Sequence, residues 1–469
     1  MNCGQRMRRF GPGRVRTMSR RLVLALSCLA APWPLSAGVG VWTTNGPGDV
    51  TSIAVVTDAQ VPGTLYAGTA QGVAKSTDGG KSWNAAVLPG GTPLAASGGV
   101  VYASVATPVG PPIVGGFTNV VYESPDGGAH WQALYQISSA TSAMWIDPVA
   151  SSTLYRADTA AILPPYHQTT AAGFFRSNDA GQSWTRIDAG LGSNPVTAFA
   201  ADPQSPGTVY LANVAIFEPP GVYRSTDSGS TWTLMNSSIP AYCLAVDPTT
   251  AGTVYAAGVG VFVSNDGGVA FRSLGAPTGF VAALVVDPAS SRRLYAATSQ
   301  AQSGVSGSSD GGANWWPMNQ GLPGSTPSVG GLVLDAKGDA LYTSLNGNVW
   351  DFEIDPATLV LDSAHPFVVT LSATDPHTGA SASGIANKVN DLWGYFSIPA
   401  ITGNPSNPEV FVKMLDGTAI NGEYWFFYGG LTNLAYTLTV TDVATGATKT
   451  YTKPAGSECG GSDTGAFKQ

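Results

Sequence analysis

The chain has 469 residues, among them 58 glycines, 33 prolines and 17 tyrosines, and only 11% of its side chains are charged. That composition reads as a turn-rich, mostly β protein, long enough for two domains. Removing residues 1–37 takes seven of the 22 basic residues and none of the 30 acidic ones, so the formal charge moves from −8 to −15. This balance excludes a nucleic-acid partner, whose binding rests on neutralising phosphates.

In chain order, Arg6, Arg8, Arg9, Arg14, Arg16, Arg20 and Arg21 precede an apolar run from Leu22 to about Leu35. A basic segment followed by a short apolar one has the shape of a signal peptide, with Met18 as a start and cleavage after Ala37. A membrane anchor is disfavoured because the run is short and broken by Pro32 and Pro34. Arg20-Arg21 within residues 19–24 resembles a twin-arginine signal. The expectation is a secreted, periplasmic or cell-envelope protein with no transmembrane segment after cleavage. Cys243 and Cys459 survive cleavage and read as unpaired thiols, one bridge being allowed.

From residue 38 to 354 one octet dominates. It occurs at 76–83 (STDGGKSW), 124–131 (SPDGGAHW), 177–184 (SNDAGQSW), 225–232 (STDSGSTW), 264–271 (SNDGGVAF) and 308–315 (SSDGGANW), so that all six copies fit S-x-D-x-G-x-x-[WF]. Its acids, Asp78, Asp126, Asp179, Asp227, Asp266 and Asp310, are 48, 53, 48, 39 and 44 residues apart. That period suits one four-stranded propeller blade. Around the fourth copy, 196–201 alternates, Asp202-Pro203 turns, and 208–212, 222–224 and 232–234 supply three further strands.

The octet's chemistry needs no ligand. Ser and Asp side chains bond nearby turn amides, glycine admits positive φ, and the aromatic residue (Trp83, Trp131, Trp184, Trp232, Phe271, Trp315) covers the hairpin. Each octet is therefore a structural box. A tyrosine in the second strand gives a separate count of seven units: Tyr66, Tyr102, Tyr155, Tyr210, Tyr255, Tyr295 and Tyr342. The seventh unit (332–334, 341–343, 349–352) lacks a box, because its fourth strand is expected from the N-terminal stretch 39–43, with Trp42 in the place of a box tryptophan. These residues predict a seven-bladed β-propeller closed by its N-terminal strand.

The repeats resemble the Asp-box, or BNR, propellers of sialidases, xyloglucan-cleaving glycoside hydrolases, sortilin-type receptors and a photosystem assembly factor. The resemblance implies the fold rather than an activity, since the box marks a hairpin. Ligands are then expected on the rim opposite the boxes, where the second-to-third loops 105–119, 158–173, 213–221 and 299–304 are enlarged. Six acids (Asp58, Asp147, Asp202, Asp247, Asp287, Asp335) occupy or mimic an Asp-Pro turn, and Asp49, Asp158, Asp188 and Glu218 remain for the rim, with Tyr166 and His167 in the longest loop. Asp158, Tyr166, His167, Asp188 and Glu218 are the candidate ligand-binding residues.

A glycoside hydrolase needs two carboxylates flanking the scissile bond, and Asp158 with Glu218 on adjacent blades could supply them; loop acids without a catalytic partner are the plainer reading. The sialidase resemblance would require an arginine triad and a Phe-Arg-Ile-Pro segment. The segment is absent, and Arg176 and Arg224 precede boxes instead. The xyloglucanase-like enzymes use two tandem propellers, and the assembly factor an arginine-rich patch; neither is present. His130, His167, His365 and His377 show no ligand spacing, so neither a metal nor a cofactor is expected.

Past a linker at 355–364, segments 367–371, 394–397, 409–414, 423–428, 436–441 and 448–451 are short and β-rich, and read as a β-sandwich over 365–469. This part resembles a module recurring at the C-termini of secreted bacterial proteins, through Gly394-Tyr395-Phe396, 412–417 (VKMLDG), Trp425-Phe426-Phe427-Tyr428-Gly429 and 463–467 (DTGAF). The aromatics around Trp425 are assigned to the sandwich core rather than to a sugar-stacking platform. The whole reads as an exported, monomeric, non-enzymatic protein that binds a protein or glycan, with a glycoside hydrolase and an envelope assembly factor as the alternatives.

Overall fold

A computed structural model describes residues 41–44, 46–58, 60–84, 87–109, 116–137, 140–159, 162–163, 168–169, 173–191, 196–213, 220–275, 277, 279–299, 304–323, 329, 331–362, 365–404, 407–457 and 460–468. The signal-peptide reading of 1–37 and the state of Cys459 lie outside these residues. The chain is nearly all β. No helix among the described residues is long and apolar enough to cross a membrane.

Up to residue 353 the described residues form seven antiparallel sheets of three or four strands, here numbered one to seven along the chain, and one separate two-stranded ladder. Sheet four is typical: Val196–Ala201, Val209–Asn213, Gly221–Ser225 and Thr233–Asn236 pair in order, close to the limits that its alternation and turns predict. The second strand is buried along its whole length in sheets one, four and five (Leu65–Thr69, Val209–Asn213, Val254–Gly258). These strands are apolar without alternation because a neighbouring sheet covers each of their faces.

The sheets pack side by side through seven buried clusters, each spanning one seam between consecutive sheets and each holding one of the seven tyrosines. The last cluster sets Tyr342 and Val349 of sheet seven against Leu65 and Ala67 of sheet one. The seams thus run round a closed ring, a β-propeller. None of the seven tyrosines is more than 5% exposed, and burial pushes Tyr66 and Tyr155 up to about 12.

Closure follows the expected route. Thr43–Thr44 pairs with Asn348–Glu353 as the outer strand of sheet seven, Thr43 opposite Asp351 and Thr44 opposite Trp350. Trp42 is buried, and its indole N–H donates to Met318 O in the fourth-strand region of sheet six. Trp232 makes the equivalent bond to Ile187 O of sheet three. Trp42 therefore does what a box tryptophan does.

Residues 358–468 form a sandwich of two antiparallel sheets. One holds Thr358–Leu361, Phe367–Thr374, Ala435–Asp442 and Thr448–Lys453, with Ser381–Ser383 at its margin; the other holds Ile385–Lys388, Trp393–Ser397, Val410–Asp416, Glu423–Gly430 and Gly460–Lys468. The linker is shorter than 355–364: Thr358–Leu361 is already a strand, and Leu359 and Leu361 are buried in the sandwich core with Phe367, Phe396 and Phe426. The aromatic assignment is half corrected. Tyr424 and Phe426 enter the core, whereas Trp425 and Phe427 alternate onto the outer face and stay half-buried.

The sandwich starts where the box of sheet seven would lie. Ile354 N–H donates to Asp339 O, Ser309 Oγ of the sixth box donates to Lys388 O at 2.6 Å, and a cavity of about 120 Å³ lined by Tyr295, Trp316, Phe352, Leu359 and Lys388 remains between them.

Candidate functional site

The two ends of the sheets are built differently. At the box end every copy repeats one hydrogen-bond pattern. Ser76 Oγ donates to Asp78 Oδ1 and accepts from Gly80 N–H, while Ser82 donates its N–H to Oδ1 and its hydroxyl to Oδ2 of Asp78. The same bonds recur around Asp126, Asp179, Asp227 and Asp310 with His130, Ser183, Thr231 and Asn314 in the place of Ser82. Asp266 keeps them, save the side-chain bond that Ala270 cannot make. The glycine after the Asp pair of positions has φ between +83° and +95° in all six copies (Gly80, Gly128, Gly181, Gly229, Gly268, Gly312), which explains its invariance within the repeat.

These boxes are tied to the first-to-second turns. Amides of Gly79, Ala180, Ser228, Gly267 and Gly311 donate to the carbonyls of Gly63, Ser152, Gly207, Gly252 and Arg292. Turn carboxylates then reach the next sheet: Asp58 accepts from Gly98 and Gly99, Asp202 from Gly252, and Asp335 of sheet seven from Gly63 of sheet one. Arg176 also crosses a seam, donating to Asp227 O and Ser228 O of the next box. Asp78, Asp179 and Asp227 are held at about 2, chiefly by the side-chain hydrogen bonds from Ser82, Ser183 and Thr231. The box acids are spent on fastening.

At the opposite end, a residue at or next to the end of strand two faces a glycine that opens strand three: Thr69 with Gly72, Asp158 with Gly173, Asn213 with Gly221, and Thr298 with Gly304. Thr69 Oγ1 donates to Gly72 O, Asn213 Oδ1 accepts from Gly221 N–H, and Thr298 Oγ1 bonds Gly304 both ways. These polar residues pin the base of the rim loop in sheets one, four and six. Asp158 holds the corresponding register position in sheet three, a strand residue only 7% exposed rather than a solvated loop acid.

Its partner is Arg156, Nη2 to Oδ2 at 3.3 Å, both side chains buried. The Arg156 guanidinium lies 4.5, 4.5 and 4.7 Å from the ring centroids of Tyr135, Phe175 and Trp184. The aromatic cage offsets part of its desolvation, but Nε and Nη1 have no hydrogen-bond partner. The register puts apolar residues at this point in other sheets: Ala67, Leu211, Ala256 and Ala296. Arg156 was not singled out from the sequence, although aligning the seven second strands would have exposed it.

Asp188 is held by Arg186, whose Nε lies 2.8 Å from both carboxylate oxygens; that bond keeps Arg186 above its ordinary value. Tyr166, His167 and Glu218 lie outside the described residues, so only Asp158 and Asp188 of the five candidates are placed, and each is in an ion pair. Two of the enlarged loops contain further ladder. Val100–Val109 and Gly116–Ser124 stay paired out to Val109 and Gly116, and Ile162–Leu163 pairs with Gln168–Thr169. Rim loops two and three are thus projecting hairpins. No group of three metal-ligating side chains occurs among the described residues.

The fold and rim define a β-propeller joined to a β-sandwich, with hairpins raised on the end away from the boxes. No family model matches the chain, and no curated protein matches it. Among solved structures it is similar to YCF48 from Cyanidioschyzon merolae, at 13% identity over 67% of this chain and 99% of that one, with a TM-score of 0.47. It is also similar to the GH74 enzyme of Niastella koreensis (16% identity, 86% and 74% covered, TM-score 0.37) and to a chain of the mitotic checkpoint complex (11%, 72% and 99%, TM-score 0.47). TM-scores below 0.5 carry neither a partner nor a substrate over to this chain.

Proposed function

We propose that the chain is an exported, non-enzymatic binding or scaffold protein, a seven-bladed Asp-box propeller that contacts a protein or glycan partner through the rim opposite its boxes. The observation that carries this reading is the rim of sheets two and three, where consecutive hairpins project and the acid at their base is committed. Asp158 stands opposite Gly173 at the base of its hairpin and is paired to a caged arginine, a geometry that supports a rigid platform for contacts. Hydrolysis would call for a carboxylate able to change protonation beside a second one.

The test uses the mature chain, residues 38–469. Incubation with a panel of chromogenic glycosides and polysaccharides should give no turnover, while a variant lacking 110–115 and 160–172 should lose the partner recovered by wild type from envelope extract or a glycan array. Turnover abolished by Asp158→Ala or Glu218→Ala would overturn this reading in favour of a glycoside hydrolase.

A further inference from the structure

The outer face of the second sandwich sheet carries an aromatic surface that the propeller does not use. In one cross-strand row Trp393, Lys413, Phe427 and Ser462 are neighbours; in the next, Tyr395, Phe411, Gly429 and Gly460. The four aromatic residues are half-buried, and the ring centroids of Phe411 lie 6.2 Å from Trp393 and 5.9 Å from Tyr395. An open trough of about 660 Å³ runs over Gly429 and Gly460 between these rings. Gly429 has neither a positive φ nor any atom within 4 Å of where a Cβ would stand. Neither backbone nor packing calls for glycine there, and its missing side chain is what leaves the trough floor open.

Charge decides between occupants. Lys413 is exposed and is the one charged side chain among the described residues lining the trough. A second copy of this face, paired by a two-fold axis, would bring Lys413 towards its own counterpart with no acid among the trough's described residues to match it. An apolar protein surface would bury the ammonium unpaired. A polyanion would meet one cation on a chain whose mature charge is −15 (15 basic against 30 acidic residues). A neutral sugar chain meets none of these objections. The apolar faces of its rings suit aromatic side chains spaced about one sugar ring apart, and its hydroxyls accept from Lys413 and bond Ser462 between them.

We infer that this trough binds a neutral polysaccharide, stacked on Trp393, Phe411 and Phe427 and hydrogen-bonded by Lys413. The site is separate from the propeller rim and does not depend on the rim's having a ligand.

Native gels containing hydroxyethylcellulose, laminarin or soluble starch test it with the mature full chain. At least one polysaccharide should retard wild type, and Phe427→Ala and Trp393→Ala should each raise the apparent dissociation constant at least fivefold. A Cβ at residue 429 meets no atom within 4 Å, so Gly429→Leu should keep the wild-type melting temperature and abolish retardation. Three results would overturn the inference: no retardation by any of the three, retardation unchanged in Gly429→Leu, or a dimer in solution that Gly429→Leu dissociates.

Discussion

Ring closure rests on Trp42, and its removal gives the most direct test of how the propeller is held. Trp42 is 2% exposed, its ring lies 5.3 Å from that of Phe352, and its indole N–H bonds Met318 O across the seam between sheets six and seven. Truncating a buried tryptophan costs about 3–5 kcal/mol through lost burial and the cavity left behind. Trp42→Phe keeps most of the packing and removes the donor, so it should cost nearer 1–3 kcal/mol, the penalty for a buried carbonyl left without a partner. The box tryptophans are half-buried, so Trp83→Ala should cost less than Trp42→Ala. Urea unfolding of residues 38–469, followed by far-ultraviolet circular dichroism, gives the three values from midpoint and slope. If Trp42→Ala unfolds within about 0.5 kcal/mol of wild type, the span of an ordinary surface substitution, the N-terminal strand does not close the ring.

Three further outcomes follow from the same geometry. The box carboxylates of Asp78, Asp179 and Asp227, at about 2 in the fold, sit below the ordinary value of about 4 for an unfolded chain. Their contribution is therefore complete above pH of about 4 and is lost as pH falls towards about 2; melting temperature should drop in that window, and less so in a Ser82→Ala, Ser183→Ala, Thr231→Ala triple variant. Arg156→Leu alone should destabilise by about 3–5 kcal/mol by stranding Asp158, whereas Arg156→Leu with Asp158→Asn, the residues that sheet four has as Leu211 and Asn213, should return to within about 1 kcal/mol of wild type; an additive double variant would refute the pairing. Burial pushes the Cys243 thiol up to about 12, and its sulfur faces Ala257 O, so in a Cys459→Ser background it should resist a thiol-disulfide reagent at pH 8 until denaturant is added.

Much of the propeller was legible because its residues repeat. The boxes located each third-to-fourth hairpin, and the second-strand tyrosines located each seam, including the one without a box. Thr358–Leu361 was missed because four residues of edge strand, bounded by Asp355-Pro356 and Asp362, look like a linker until the neighbouring strand Phe367–Thr374 is seen. Trp425 and Phe427 were assigned to the core because an unbroken aromatic run hides its own alternation, and only register separates Phe426 inside from its neighbours outside. Asp158 was read as a loop acid because the ladder extends further than its composition suggests: the second strand runs on to Thr159 instead of ending before residue 158.

What every sheet shares is spoken for by the ring itself. The box serine and aspartate close their own hairpin, the box amides bind the neighbouring turn, the turn aspartates reach the next sheet, and each tyrosine fills a seam. A residue type required at six or seven equivalent places answers a demand that recurs from sheet to sheet, and fastening one sheet to the next is such a demand. Recognition of one partner breaks that symmetry, so its residues belong where a single sheet departs from the rest. Arg156 stands where sheets one, four, five and six have alanine or leucine, and it lies in the strand that leads into the rim hairpin of sheet three, against Tyr135 of sheet two. The departure from the repeat, not the repeat, is therefore the place to look for what this propeller holds.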